Sequence, residues 1–360
     1  MKIKKIDWYI TSKFLGTFFY AITLIILIVI IFDLSERIDD FIERQAPLNE
    51  ILFVYYLNFI PYFINLFSPL FTFIAVIYFT SRMAFNTEII AILSSGVSFK
   101  RLLAPYIVSA AMLAILSIYL SNVMIPDANR KRLDFENTYF RSQGQFRDRN
   151  IHLQIRPGVF VYMESYNDRI NVGYKFALES IIDGELKSKL TADRAEWIDS
   201  IQTWTLRNYH QREISELNEK LSSGTRKDTV INLSPTDFIQ NLRDMEAMNF
   251  RELQEYIENE RLKGSENIRY YLVEKHRRIA FPFATLVLTL IGVSLSSRKV
   301  RGGIGLHLGI GLTLSFAFIL FMQISTTFAT NGNLPPLLAV WIPNIVFFML
   351  GIYLLKTAPK

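Results

Sequence analysis

The sequence predicts a membrane α-helical protein with six transmembrane helices, three before and three after an inserted all-β domain. Three observations predict it. Six charge-free apolar runs of roughly 20 residues or more, the length that crosses a hydrocarbon core of about 30 Å, occur in the chain. The 360 residues are 51% hydrophobic and 20% charged, too apolar for an ordinary soluble domain of this size. Between the third and fourth runs the pattern changes to short alternating segments.

The runs cover residues 14–32, 51–80, 102–125, 279–297, 304–328 and 334–355. Lys2, Lys4 and Lys5 before the first resemble the start of a signal peptide. Its length, the acidic and aromatic sequence after it and the lack of a small-residue cleavage site predict an uncleaved span. The second run carries Pro61 and Pro69 and is expected to kink or to lie partly in the interface.

Orientation follows from Lys and Arg in the short loops. Twelve of them fall in the N-terminus through Lys13, in 81–101, in 296–303 and in the tail from Lys356. The opposite loops, 33–50 and 329–333, hold only Arg37 and Arg44. Both termini are therefore expected in the cytoplasm and residues 126–278 outside it. The net charge of +6 is on this reading a topology signal, and no nucleic-acid partner is expected. With no cysteine, the external segment does not rely on disulfides.

Three regions result: 1–125 with the first three spans, 126–270 as the external domain with a linking helix, and 271–360 with the last three spans. Ile151, Leu153 and Ile155 alternate, as do Val159 and Val161 after Arg156-Pro157-Gly158, so residues 140–240 read as short strands of a sandwich or barrel. Turn signals stand at Tyr166-Asn167-Asp168, Asp183-Gly184, Asp199-Ser200 and Ser222-Ser223-Gly224. Trp197 and Trp204 are expected in the core. Over 249–263, Phe250, Leu253, Ile257 and Leu262 share a helical face, and Gly264 follows as a C-cap.

Residues for catalysis or metal binding do not assemble. There is no GxxxxGK[ST] loop, HExxH pair or nucleophile elbow, and His152, His210, His276 and His307 lie far apart. The stretch RGGIGLHLGIG, 301–311, lacks the Lys-Ser/Thr pair of a phosphate loop; Gly305 and Gly309 have the spacing that lets helices approach closely. The six runs contain no Asp, Glu, Lys or Arg and one histidine, His307. Ion-coupled carriers bury such groups at membrane depth, so this chain has no energy source of its own. If it moves a substrate, another protein supplies the free energy.

The stretch NTEIIAILSSGVSFKR, 86–101, is neither span nor simple loop. As a helix over about 86–96 it puts Ile89, Ile90, Ile92, Leu93 and Val97 on one side and Glu88, Ala91 and Ser95 on the other. Asn86 or Thr87 can cap its start, Glu88 suits the positive end of the dipole, and Gly96 can end it. It reads either as a passive amphipathic turn on headgroups or as a coupling helix docked in a cleft of a cytoplasmic ATPase.

The segments DWYITSKFLGTFFYAI, DLSERIDDFI, EIIAILSSGVSFKRLLAP and HRRIAFPFATLVLTLIGVSLS with its following RGG resemble the LptF/LptG permeases over essentially the whole chain. The resemblance implies a membrane subunit, without cofactor, of an ATP-driven machine that extracts lipopolysaccharide from the inner membrane. It implies a periplasmic jelly roll that passes the lipid to a periplasmic β-jelly-roll bridge protein, a second LptF/LptG-type permease and a cytoplasmic ABC ATPase dimer that binds ATP and Mg. On it, Glu88, Ile89, Ile92, Leu93, Gly96 and Val97 would meet the ATPase, Glu88 pairing with a basic group.

Candidate contacts for the lipid's phosphates are Arg37 and Arg44 after the first span, Arg130, Lys131 and Arg132 after the third, and Arg277 and Arg278 before the fourth. Such residues also snorkel to ordinary headgroups or pair with acids such as Asp127 and Glu274. Asp33, Glu36, Asp39 and Asp40 at the end of the first span argue against phosphate binding there. Two other classes are weighed: a sensor or scaffold whose β-domain binds an external ligand, and a lipid-modifying enzyme using Asp127 and Glu136 near His276.

Overall fold

The computed structural model describes residues 4–140, 149–167, 170–215, 218–231, 233–235, 244–265, 267–298 and 303–358. The turn position Asp168 and residues 301 and 302 of the glycine-rich stretch lie outside them. The chain forms two compact units, one of Met1–Phe140, Met245–Leu253 and Arg269–Lys360, the other of Arg141–Asp244 and Gln254–Ile268.

The first unit is helical. Helices α1 (Lys5–Glu43), α2 (Leu48–Phe85), α3 (Glu88–Ser94) and α4 (Phe99–Tyr139) precede the sheet, and α5 (Phe250–Lys263), which belongs to the second unit from Gln254 on, α6 (Ile268–Ser296), α7 (Gly303–Asn331) and α8 (Pro336–Thr357) follow it. Six of them are long and apolar enough to cross a membrane. Asp7 starts α1 by accepting from the Lys4 backbone N–H at 2.8 Å. The buried residues of α1 in the span, Ile10, Phe14, Phe18, Ile22 and Ile26, recur every four positions and make one stripe against α2 and α4. Phe19, Leu27, Ile31 and Phe32 are exposed, as on a helix solvated by lipid.

Pro61 and Pro69 sit inside the regular part of α2, Leu57–Phe85; the irregularity is a π turn at Ile51–Tyr56. There the Asn58 amide donates to the Val54 carbonyl at 2.7 Å, answering a carbonyl near the disturbed ladder. A second π turn, Leu120–Met124, interrupts α4 just before Pro126.

Lipid chains are as apolar as the side chains, so water exclusion does not hold these helices together; close packing and hydrogen bonds do. Asn65 of α2 accepts from the Ser117 hydroxyl at 2.5 Å and donates to Ser121 at 3.0 Å, both on α4. Thr80 donates to the Tyr106 hydroxyl at 3.1 Å, and Asn344 of α8 donates to the Ala280 carbonyl of α6 at 3.0 Å. His307 shares a 2.9 Å hydrogen bond with Ser81, which fixes the start of α7 to α2.

Close approach occurs at glycines other than those the spacing predicts. A Cβ on Gly305 or Gly309 would meet nothing within 4 Å. On Gly292 it would meet Val76 Cγ1 at 2.9 Å, and on Gly311 it would run into Ile77 Cδ1. Both contacts are made by α2, the helix on which α6 and α7 pack.

The second unit is a six-stranded antiparallel sheet whose order follows the chain: β1 (Arg149–Arg156), β2 (Val159–Asn167), β3 (Val172–Ile182), β4 (Glu185–Ile198), β5 (Thr203–Ile214) and β6 (Glu219–Thr229). Asp183 and Gly184, with φ of +54° and +80°, make the two-residue turn that joins β3 to β4. Ser222-Ser223-Gly224 is not a turn: it lies within β6, where a Cβ on Gly224 would strike the ring of Tyr209 at 2.8 Å.

One side of the sheet is apolar, with Leu153, Val161, Met163, Phe176, Leu190 and Leu206 buried around Trp204. The Trp204 indole donates to the Leu233 carbonyl at 2.7 Å, and the partly buried Trp197 lies 5.2 Å away, centre to centre. The pairing register skips Asn150, Lys175 and Asn208, on β1, β3 and β5, and all three have φ between +50° and +57°. They form one line of left-handed residues across the sheet, on either side of which the strand register is the same; the register shifts themselves lie at Gln154–Arg156 on β1 and Ser180–Ile181 on β3. Polar groups answer one another along the line: Lys175 pairs with Glu164 at 2.7 Å, and Asn208 donates to Asp193 at 2.9 Å.

Helix α5 begins at an Asn249 cap, whose side-chain oxygen accepts from the N–H groups of Arg251 and Glu252 at 3.0 Å and whose own N–H donates to the Glu252 carboxylate at 2.9 Å. It ends at Gly264, φ +71°. Leu253 and Ile257 are buried, but Leu262 is 59% exposed and Glu260 takes the inward position. The helix turns 3.6 residues at a time, so a face read at steps of three and four drifts to Glu260 by its last turn.

Candidate functional site

The segment from Phe85 to Phe99 is built by backbone conformation more than by caps. Thr87 has φ +64° and its hydroxyl donates to Asn86 O at 2.6 Å, so it turns the chain without capping α3. Gly96, φ +87°, ends the element, and Ser98 caps α4 by accepting from Arg101 N at 3.3 Å.

Ile89 is buried at 1% exposure, and Ile92 and Leu93 pack partly buried on the same core as Phe14, Met83, Phe99 and Leu102. Val97 is half-buried and Gly96 exposed. The apolar side of α3 is thus the side that anchors it to its own bundle. Its outward face carries Ala91 and Ser95, as the pattern predicts, with Ser94 and with Ile90, which the pattern places on the apolar side but which is 55% exposed.

Glu88 sits at the edge of that face with both oxygens engaged. The Tyr9 hydroxyl donates to one at 3.1 Å and the Asn86 amide to the other at 3.3 Å. Six positions beyond the anchor Leu93, Phe99 opens α4, and two residues later the Arg101 guanidinium reaches α1, donating to the two oxygens of Asp7 at 2.6 Å each. Asp7, Tyr9 and Arg101 escape sequence reasoning because 94 residues separate Asp7 from Arg101. The available signal is a single acid within the basic start MKIKKID.

The basic residues near the other helix ends separate into two groups. Arg37 pairs with Asp33 at 3.1 Å and lies 4.7 Å over the Phe140 ring. Arg132 is 3.6 Å from Glu136 and 5.6 Å over the Tyr62 ring. Arg277 pairs with Glu274 at 2.6 Å. Arg130 pairs with Glu252 at 2.9 Å. Arg278 is buried, at 3.1 Å from Glu274. Arg44 and Lys131 alone of the seven are exposed without an ion pair among the described residues.

Four successive carbonyls of the chain returning from the sheet are held by these side chains. Met245 O and Met248 O accept from Arg278 at 2.7 and 2.6 Å, Glu246 O from Asn129 at 3.3 Å, and Ala247 O from Arg130 at 3.3 Å. Beside this knot lies a polar cavity of about 70 Å³ lined by Tyr62, Asn65, Asn129, Glu274 and Arg277 among others. Among the described residues no group of three His, Cys, Asp or Glu could hold a metal ion.

An apolar six-helix unit with this short anchored helix, interrupted by one antiparallel sheet, matches a known family over nearly its whole length. The family model described as lipopolysaccharide export system permease LptF/LptG covers residues 8–357. The chain belongs to the LptF/LptG permease family. The lipopolysaccharide export system permease protein LptG of Escherichia coli (strain K12) is 20% identical to it over 309 residues, 84% of each chain. The same protein of Escherichia coli O6:H1 shows the same identity and coverage. The permease is accordingly a multi-pass membrane protein of lipopolysaccharide export.

Proposed function

We propose that this permease is the membrane subunit of an ATP-driven transporter that lifts lipopolysaccharide out of the inner membrane and hands it to a periplasmic β-jelly-roll bridge. The observation that carries the reading is the anchored helix α3: its apolar side grips the bundle, so force on its outward face moves the attached spans. Spans free of Asp, Glu, Lys and Arg support an external engine, because such groups at membrane depth are what couples a carrier to an ion gradient, and His307, at the inner end of the fifth run, is bonded to Ser81.

In this reading the termini and α3 face the cytoplasm and the sheet faces the periplasm, as the Lys and Arg distribution requires. A cytoplasmic ABC ATPase dimer binds ATP and Mg and docks on Ile90, Ala91, Ser94 and Ser95, with Glu88 presented to a basic group by Tyr9. A second LptF/LptG-type permease completes the lipid cavity. Handover to the bridge uses a sheet edge: β1 and β6 each have one strand neighbour among the described residues, which leaves backbone groups for strand pairing.

Lys131 and Arg44 are the phosphate contacts this reading retains. Arg37, Arg130, Arg132, Arg277 and Arg278 already answer acids and carbonyls of the chain. Replacing Glu88 with Lys tests the reading by co-purification of the ATPase. Loss of the ATPase is expected; undiminished binding and turnover contradict it.

A further inference from the structure

The polar attachments of α1 are confined to its two ends. Over residues 10–32 no α1 side chain hydrogen-bonds another element among the described residues; Thr17 and Thr23 donate within the helix, to Lys13 O and Phe19 O at 2.8 Å. Through that stretch α1 meets its neighbours by the apolar stripe alone. At the outer end, Asp33 accepts from the Tyr55 hydroxyl at 3.2 Å. At the inner end α1 is tied to the α3–α4 hairpin twice, by Asp7 to Arg101 and by Tyr9 to Glu88.

The Asp7–Arg101 contact is built to carry load in a defined direction. Two parallel bonds of 2.6 Å fix the planes of guanidinium and carboxylate together, which a single-bond contact does not do. The side chains are 24% and 14% exposed, so water competes little for them. Asp7 is also held by the Lys4 backbone at the first turn of α1, which makes the clasp part of the helix end and not of a loose side chain. A 39-residue helix is about 58 Å long, so each degree of tilt about this end moves the far end by about 1 Å.

We propose that Asp7 and Arg101 are positioning residues of transport: they clasp α1 to the coupling hairpin, so that movement imposed on α3 becomes movement of α1 and of the lipid-facing wall it forms. The proposal rests on the coupling reading of α3. It adds that this clasp fixes the direction in which the stroke reaches the end of α1, which the apolar contacts between α3 and the α1 stripe do not do by themselves.

The test uses the full transporter in liposomes carrying lipopolysaccharide, with ATP turnover and lipid released per ATP measured separately. The chain has no cysteine, so the pair Asp7→Cys with Arg101→Cys can be made and then bridged by a short bis-methanethiosulfonate, which forms one disulfide with each cysteine and releases methanesulfinate. Before bridging, the ATPase still co-purifies and hydrolyses ATP while lipid released per ATP falls about tenfold. Bridging restores release, and reductant that removes the bridge abolishes it again. A charge exchange, Asp7→Arg with Arg101→Asp, recovers release relative to either single change. Unchanged release in the unbridged pair overturns the clasp, as does failure of both bridging and exchange to restore it. Absence of an ATPase from the wild-type complex would instead refute the coupling reading itself, so the two failures are distinguishable.

Discussion

Arg278 and Glu274 form a buried ion pair at 3.1 Å one helical turn apart on α6, and the same guanidinium also serves the carbonyls of Met245 and Met248. A charge so enclosed is stable only while all its partners remain.

Removing the guanidinium leaves Glu274 short of a partner and two carbonyls unanswered. Arg278→Ala is therefore expected to destabilise the helical unit by about 3–5 kcal/mol. Arg278→Lys fails largely as well, because an ammonium cannot span both carbonyls in the planar fork. Lys131→Ala, exposed and unpaired, stays within about 0.5 kcal/mol. Thermal unfolding of the purified variants in one detergent checks the order.

The packing glycines give the opposite kind of change. Gly292→Val drives side-chain atoms into Val76 and Phe73, where a Cβ alone would stand 2.9 and 3.0 Å from them. Overpacking of this kind costs about 1–3 kcal/mol. Gly305→Ala and Gly309→Ala, which face open space within the chain, do not lower its melting temperature and raise it slightly, because alanine is the better helix former. A lower yield of folded chain for Gly292→Val alone confirms the assignment.

In the sheet, Asn208 has φ +52° and bonds Asp193 on the adjacent strand β4. Asn208→Gly keeps the backbone and is close to neutral. Asn208→Val places a β-branched residue in a left-handed conformation at a cost of about 1–2 kcal/mol and loses the amide. Amide exchange in β4 and β5 accelerates in the second variant and not in the first.

Asp228 on β6 accepts from the Thr205 hydroxyl at 2.6 Å and pairs with Arg226 at 3.2 Å; these hold its carboxyl below the ordinary 3.8. A lowered folded-state pKa means stability present above the unfolded value and lost as pH falls through the folded one. Exchange at the β5–β6 pairing is expected to rise below about pH 4 and to show no such step from this group in Asp228→Asn.

How much was legible follows the range of each interaction. The six spans show in the sequence because every face meets either lipid or an apolar neighbour, which leaves uninterrupted apolar runs; the spans' polar continuations, such as Asp33 to Glu43 on α1, do not carry that mark. The strand pattern around Leu153 and Val161 is local and readable, whereas Gly224 imitates a turn because its reason for being glycine is the ring of Tyr209 on the next strand. At the candidate site, Glu88 and Gly96 have local signatures. The inward turn of Ile89 depends on a core assembled from α1, α2 and α4, and Arg101 finds Asp7 only after the spans have packed.

Docking of an ATPase on the outward face of α3 is the claim on which the mechanism stands, and site-directed crosslinking measures it most directly. In the cysteine-free chain, single cysteines at Ile90, Ser94 and, as the inward control, Ile89 are treated with a short crosslinker in native membranes. Crosslinks from Ile90 and Ser94 to a nucleotide-hydrolysing subunit, changing with ATP and absent at Ile89, are predicted. Labelling of Ile90 and Ser94 by a membrane-impermeant thiol reagent added from the periplasmic side, or crosslinks to no such subunit, would contradict the account.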